Sequence, residues 1–227
     1  MKKLILLLVI MVSGHITAQT KTELVKHFEA YYQQMKLQGD VQGVINAMTH
    51  LDVLAPSQAR KDTLAYVYVS EGRNMEALNT IGVDKNPTDS DINIEVKALA
   101  LKAINQPKLA LEHYERLFAK NPNAYLAYEL ADLKVQTQDL EGAKKNIEYG
   151  LANVTTEMKR AFYETQQPYE TSLKAALLYI KALVNFNENK TENVESALAI
   201  INHALVIDPN FNMAKITKDA LLSINKQ

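Results

Sequence analysis

The 227-residue sequence contains no cysteine and no tryptophan, and only 7 glycines and 6 prolines. Without cysteine there is no disulfide, no thiolate metal site, no cysteine nucleophile and no lipid carried on a cysteine. Asn-Gly and Asp-Gly hairpin turns between alternating apolar residues are missing, which argues against a β-rich chain. An excess of charge of one sign is missing too, with 25 Lys and Arg against 26 Asp and Glu. Nucleic acid is therefore not expected as a partner, because its binding is driven by clustered cations that neutralise phosphates. Past the first residues, no apolar run approaches the roughly 20 residues that span a bilayer. What is present is Ala, Leu, Lys and Glu at spacings of three and four, the periodicity of an all-α chain.

Met1-Lys2-Lys3, then LILLLVIMV, then SGHITA have the charged, apolar and small-residue parts of a secretory signal peptide, with cleavage expected after Ala18. The expectation is a leader at 1–18 and a mature region at 19–227, exported and without stable membrane insertion after cleavage. Losing Lys2 and Lys3 leaves 23 basic and 26 acidic residues, a formal charge of −3. The leader and the missing cysteine resemble exported proteins of Gram-negative bacteria, which implies a periplasmic or secreted location. With no disulfide available, the fold is held by its core alone. A chain of this size buries roughly 70% of the surface of its unfolded form.

The stretch Asn105–Pro122, NQPKLALEHYERLFAKNP, reads as a helix with Pro107 at its start and Asn121-Pro122 at its stop. Versions of it recur as GDVQGVINAMTHLDVLAP before it and QDLEGAKKNIEYGLANV after it. Val44, Ala77, Ala110 and Ala143 align at one constant interval. A fixed period of about 33 residues marks a repeat array, whose units bury their apolar faces against one another. Within it, helices are expected over about 22–37 and 41–54, joined at Gly39-Asp40 and stopped by Pro56. Ser57 is the expected N-cap of the next unit, in which Leu64, Ala65, Tyr68, Gly72 and Ala77 stand at the spacing L-A-x-x-Y-x-x-x-G-x-x-x-x-A.

These residues, with Ala98, Leu101, Ala110, Tyr114 and Pro122 in the next unit and Leu130, Ala131, Ala143, Ile147 and Gly150 in the one after, resemble the signature of tetratricopeptide repeat proteins. The family's usual repeat is about 34 residues long, slightly more than the interval here. The aromatic residue expected early in each first helix is mostly missing. Ankyrin repeats share the shorter period, but their T-P-L-H signature is absent. The resemblance implies a superhelical array of antiparallel helix hairpins, about five pairs with a C-terminal capping helix over 211–224.

After Val154 the register breaks, and the next anchor, Ala197, comes much later than the interval from Ala143 allows. The insertion near 155–168 reads as a continuation of the preceding helix toward Tyr163, or as a separate short helix before Pro168. A first helix over about 169–186 follows.

No catalytic, cofactor or metal constellation stands out, and none is expected. His27, His50, His113 and His203 lack metal spacing, and there is no H-E-x-x-H, Walker loop, G-x-G-x-x-G or nucleophile elbow. His50 and His203 share a repeat position, which points to packing or surface roles. The close carboxylates Asp139 and Glu141 belong to a helix N-terminus.

The resemblance further implies that first helices line a concave groove, with side chains from repeat positions 2, 5, 9 and 12 pointing inward. Position 5 is Glu29, Asp62, Glu95 and Tyr128; position 9 is Gln33, Tyr66, Leu99 and Asp132; position 2 is Lys26, Ala59, Ile92 and Tyr125. Relatives that clamp a peptide carboxylate carry cationic and amide donors here, and this chain has acids, so it is not such a clamp. The expected function is a non-catalytic protein-binding scaffold whose acidic, tyrosine-bearing groove takes a basic or extended segment of a protein or peptide. Glu29, Asp62, Tyr66, Glu95, Tyr125, Tyr128 and Asp132 are its candidate contacts. An alternative is a groove that holds a small molecule or cell-wall fragment.

Overall fold

In a computed structural model of the chain, residues 20–224 are described. The leader expected at 1–18 lies outside them. The helices are α1 (Lys21–Gln38), α2 (Val41–Leu54), α3 (Gln58–Ser70), α4 (Asn74–Ile81), α5 (Asp91–Ala103), α6 (Pro107–Lys120), α7 (Ala124–Gln136) and α8 (Leu140–Asn153). An antiparallel pair, β1 (Lys159–Phe162) and β2 (Tyr169–Ser172), comes next. It is followed by α9 (Leu173–Glu188), α10 (Val194–Ile207) and α11 (Asn212–Ile224). Consecutive helices pair as hairpins and successive hairpins stack, the architecture of an α-solenoid. None of the described helices is long and apolar enough to cross a membrane.

The period is written in the backbone as well as in the sequence. Gly39, Gly72, Asn105 and Gln138, which repeat at the interval of the anchors, all have positive φ, between 58° and 71°. Each ends a first helix with the same pair of bonds, as when the Gln138 amide donates to Val135 and the Asp139 amide to Lys134. This is a Schellman turn, which turns the chain into the second helix within two residues. Glycine adopts that conformation freely, whereas Asn105 and Gln138 hold it against side-chain crowding.

Side-chain caps start most helices. Thr20 and Glu23 form a capping box on α1, and Asp40, Ser57, Ser90, Asn123 and Asp139 accept from amides three residues on. The anchors Ala77, Ala110, Ala143 and Ala197 are fully buried, so paired helices approach closely there. Val44, the non-conforming anchor, is partly buried instead and packs with Ile45, Met48 and Leu64. The largest core cluster lies at the C-terminal end, around Leu173, Leu177, Ile180, Ile201 and Phe211. There α11 covers α10, as expected of a cap.

The insertion departs from the expected helix. The second helix α8 stops at Asn153, Val154 is extended, and the chain forms the β1–β2 hairpin with Phe162 opposite Tyr169. The reason is a period of two. Arg160, Phe162, Tyr169 and Thr171 share one face of the hairpin and turn inward, while Lys159 and Glu170 on the other face are exposed. Pro168, just before Tyr169, also disfavours a helix there. The first helix of the last pair consequently starts at Leu173, four residues after the expected Tyr169.

Candidate partner-binding groove

On α5 the residues Ile92, Glu95 and Leu99 form one exposed stripe, on the face away from buried Ile94, Ala98 and Leu101. Tyr125 continues it on α7 and Tyr66 on α3. These four large side chains, Tyr66, Ile92, Leu99 and Tyr125, are between 38% and 48% exposed. Core-forming residue types are thus left open at equivalent positions of three successive first helices. Glu29, on α1, is also exposed and makes a 3.4 Å ion pair with Arg60 of α3.

Two of the candidate contacts are not on that surface. Asp62 is buried and accepts from Gln58 (2.8 Å), Ser90 (2.5 Å) and Asn93 (2.7 Å). It joins α3 to the start of α5 because the cap of the next helix lies directly over it. Tyr128 is buried beneath Arg160 of β1, whose guanidinium carbon lies 4.2 Å from the ring centroid. The inserted hairpin therefore closes the part of the face that the repeat register alone would leave open.

Arg160 also donates to Glu129, and Lys102 of α5 bridges Glu129 and Asp132, the latter at 2.9 Å. Burial, the largest single influence, pushes the Arg160 pKa down, but Glu129, Tyr128 and Asp132 together raise it by more, so the guanidinium stays cationic. Its Nε is buried with no partner among the described residues. Beneath the cluster lies Tyr114, whose hydroxyl pKa is raised first by burial and then by Glu129, with Glu95 and Asp132 adding to the effect. Glu95, Glu129 and Asp132 thus face one neighbourhood. Lys102 and Arg160 serve Glu129 and Asp132, while exposed Glu95 has no ion-pair partner among the described residues.

The rest of the hairpin is fastened to the C-terminal end. Thr171 donates its hydroxyl, and Ser172 its amide at 3.2 Å, to the Asp208 carboxylate. The Met213 amide donates to the Tyr169 hydroxyl at 3.3 Å, and Phe162 packs on Phe211 with centroids 5.0 Å apart. Tyr169, which also donates to Glu164, has its pKa pushed up to about 12 by burial and by that hydrogen bond.

Glu129, Arg160 and Lys102 were not among the sequence candidates. Lys102 stands at position 12 and was within reach of the register. Glu129 is one residue past a counted position, and Arg160 lies in the insertion, where no register exists.

The histidines take packing or surface positions. His50 stacks on Phe28 at 4.2 Å, His203 is exposed, and buried His113 meets the Val83 carbonyl through Nε2 at 3.0 Å. Burial lowers the His113 pKa.

No family model matches the sequence, and no curated protein matches it. Among solved structures the chain is similar to a tetratricopeptide repeat protein from Parabacteroides merdae, at 15% identity and a TM-score of 0.66, over 90% of this chain and 74% of that one. It is similar to MamA at 15% identity and a TM-score of 0.60, over 83% and 93% of the two chains. A third likeness is to YrrB, described as a tetratricopeptide repeat protein with an unusual peptide-binding site, at 14% identity and a TM-score of 0.66, over 88% and 98%. At these identities the likeness is one of fold. Paired helices, turns in one constant register and these neighbours together make the chain a tetratricopeptide-repeat-like α-solenoid.

Proposed function

We propose that the chain is a non-catalytic scaffold of the bacterial cell envelope that binds a segment of a protein partner on the first-helix face of α3, α5 and α7. The observation that carries this reading is the exposed stripe Tyr66, Ile92, Leu99 and Tyr125, flanked by the acids Glu29 and Glu95. Rigid aromatic and aliphatic side chains supply contact area at little entropic cost, and the acids select a basic partner. The solved structure of YrrB, with its peptide-binding site, is an example of the fold put to such use. Envelope location rests on the leader-like start of the sequence.

A photocrosslinking residue at Leu99 or Tyr125, in the producing cells, is expected to give a discrete protein adduct. The same probe at Val53, exposed on α2, is expected to give none. Glu29→Lys with Glu95→Lys is expected to weaken capture; Asp62 is left intact because its burial makes its replacement a test of folding. Equal adducts from Val53, or capture unaffected by the charge reversals, would refute the assignment of the face. Location is tested by fractionating the cells and sequencing the N-terminus, with a periplasmic or secreted chain beginning at Gln19 expected. A cytoplasmic, unprocessed chain would overturn it.

A further inference from the structure

The β1–β2 hairpin has two outer edges, and they are treated differently. The Leu173 amide donates to the Met158 carbonyl, so residues 158 and 173 are a hydrogen-bonded pair. Alternation along an antiparallel ladder then makes 160 with 171 and 162 with 169 the other bonded pairs. Lys159, Ala161, Glu170 and Ser172 must turn their amides and carbonyls outward. On β2 this is borne out, because the outward Ser172 amide is taken by the Asp208 carboxylate. On β1 the amides and carbonyls of Lys159 and Ala161 find no partner among the described residues.

The open edge lies on the α7 side of the hairpin. Thr171, opposite Arg160, reaches Asp208 at the end of α10, whereas Arg160 reaches Tyr128 and Glu129 of α7. Of the two strands, β1 therefore lies on the α7 side, and its free edge points away from β2 on the side of the array where α7 and its neighbour α5 lie. Arg160 itself shows how this surface holds an extended chain, with an arginine laid on a tyrosine and paired with a carboxylate. One carboxylate of that neighbourhood, Glu95, is left exposed and unpaired among the described residues.

We propose that the partner segment binds as a third strand on the edge of β1, exchanging backbone hydrogen bonds with Lys159 and Ala161, with a basic side chain on Glu95 and apolar ones on Leu99 and Tyr125. This rests on the groove reading above and adds the conformation, polarity pattern and backbone contacts of the occupant. Strand addition supplies affinity through the main chain, and alternate side chains supply specificity. An acidic or helical segment does not fit, because the first meets Glu95 and the second presents no free edge.

The test uses the full chain and three synthetic probes, with affinities read by fluorescence anisotropy. One is an eight-residue peptide alternating arginine and valine, one alternates glutamate and valine, and one is the arginine peptide with alternate amides N-methylated. Ala161→Pro removes an outward amide without touching a bond to β2, so hairpin and fold are retained, which circular dichroism checks against Ala161→Thr. The arginine peptide is expected to bind the parent and Ala161→Thr alike. It is expected to lose about tenfold or more in affinity with Ala161→Pro and with Glu95→Lys, in proportion to one lost charged or backbone contact. The methylated and glutamate peptides are expected to bind at least tenfold more weakly. If Glu95→Lys abolishes binding while Ala161→Pro and N-methylation leave it unchanged, strand addition is wrong and the groove reading stands. If the arginine peptide does not bind, or binds Glu95→Lys as well as the parent, both are overturned.

Discussion

Arg160→Ala tests whether the inserted hairpin is held on the array by the contacts of one side chain. The guanidinium lies 4.2 Å from the Tyr128 centroid, in a site where the side chain is 24% exposed. A partly desolvated cation–π contact contributes about 1–2 kcal/mol. The charged hydrogen bond to Glu129 adds roughly 1.5–3 kcal/mol, at the low end here because Glu129 keeps Lys102 after the change. Removing the buried, unpartnered Nε gives back about 1 kcal/mol. The net loss is about 2 kcal/mol, or about thirtyfold in the opening equilibrium of the hairpin. Native-state hydrogen exchange reads it directly, as faster exchange at the Phe162, Tyr169 and Thr171 amides, which the ladder protects. Helices α3 and α4, two units away, are expected to keep their rates, because contacts in a stacked array are between neighbours. Arg160→Lys keeps the charge and loses the planar stack, so it falls between parent and alanine variant. Unchanged exchange in the hairpin, or acceleration spread evenly to α3 and α4, would refute the reasoning.

Asp89 is the hub of a second polar cluster, in the loop before α5, and receives Lys97 at 3.1 Å and Arg116 at 3.0 Å. Since the Lys97 side chain is only 2% exposed, Asp89→Ala leaves a buried ammonium without its carboxylate and is expected to cost about 3–5 kcal/mol in urea unfolding. Lys97→Met combined with Asp89→Asn is expected to be less damaging than the sum of the single changes, as a double-mutant cycle measures. Burial pushes the Asp89 carboxyl upward, but the Asn86 amide, Arg116 and Lys97 together hold it below the ordinary aspartate range. A depressed acid contributes fully above its unfolded value of about 3.9 and loses that contribution as pH falls through the folded one. The denaturation midpoint is therefore expected to hold steady from neutrality down to about pH 5 and to fall below about pH 4, with a shallower fall in Asp89→Asn. Gln138→Gly is expected to stabilise by up to about 1 kcal/mol, because φ at this turn is 65°, and a thermal melt showing destabilisation would contradict that account of the register.

The helical array was legible because its determinants are local and repeated. Ser57 caps α3, Gly39 and Gly72 make the left-handed turns, and Ala77, Ala110 and Ala143 permit close helix contact, each at a spacing that the sequence displays. The hairpin was not legible for the opposite reason. Its strands have four residues each, too short for a two-residue alternation to stand out, and their pairing partners are set by tertiary contacts with Asp208, Met213 and Tyr128. Those contacts also decided the candidate site. Position counting placed Tyr125, Tyr66, Glu95 and Glu29 on first helices, and they are exposed there. Tyr128, counted the same way, is covered by a segment that lies outside the count, and Asp62 is covered by the cap of the following unit.

The break in register is thus what gives the array its asymmetry. In a regular stack every first helix presents an equivalent face, and a bound segment has nothing to fix its position along the groove. Here the hairpin occupies the face at α7 and is bolted to α10 and α11 through Asp208 and the Tyr169 hydroxyl. The C-terminal end of the groove is filled, and its N-terminal part, from Glu95 to Glu29, stays open. Arg160 and Lys102 neutralise Glu129 inside the chain, so the acid without an ion-pair partner among the described residues beside the hairpin is Glu95, one unit toward the N-terminus. On the proposed reading, the insertion therefore both subtracts a subsite and supplies the wall beside the next one, and so sets where along the stack a partner is recognised.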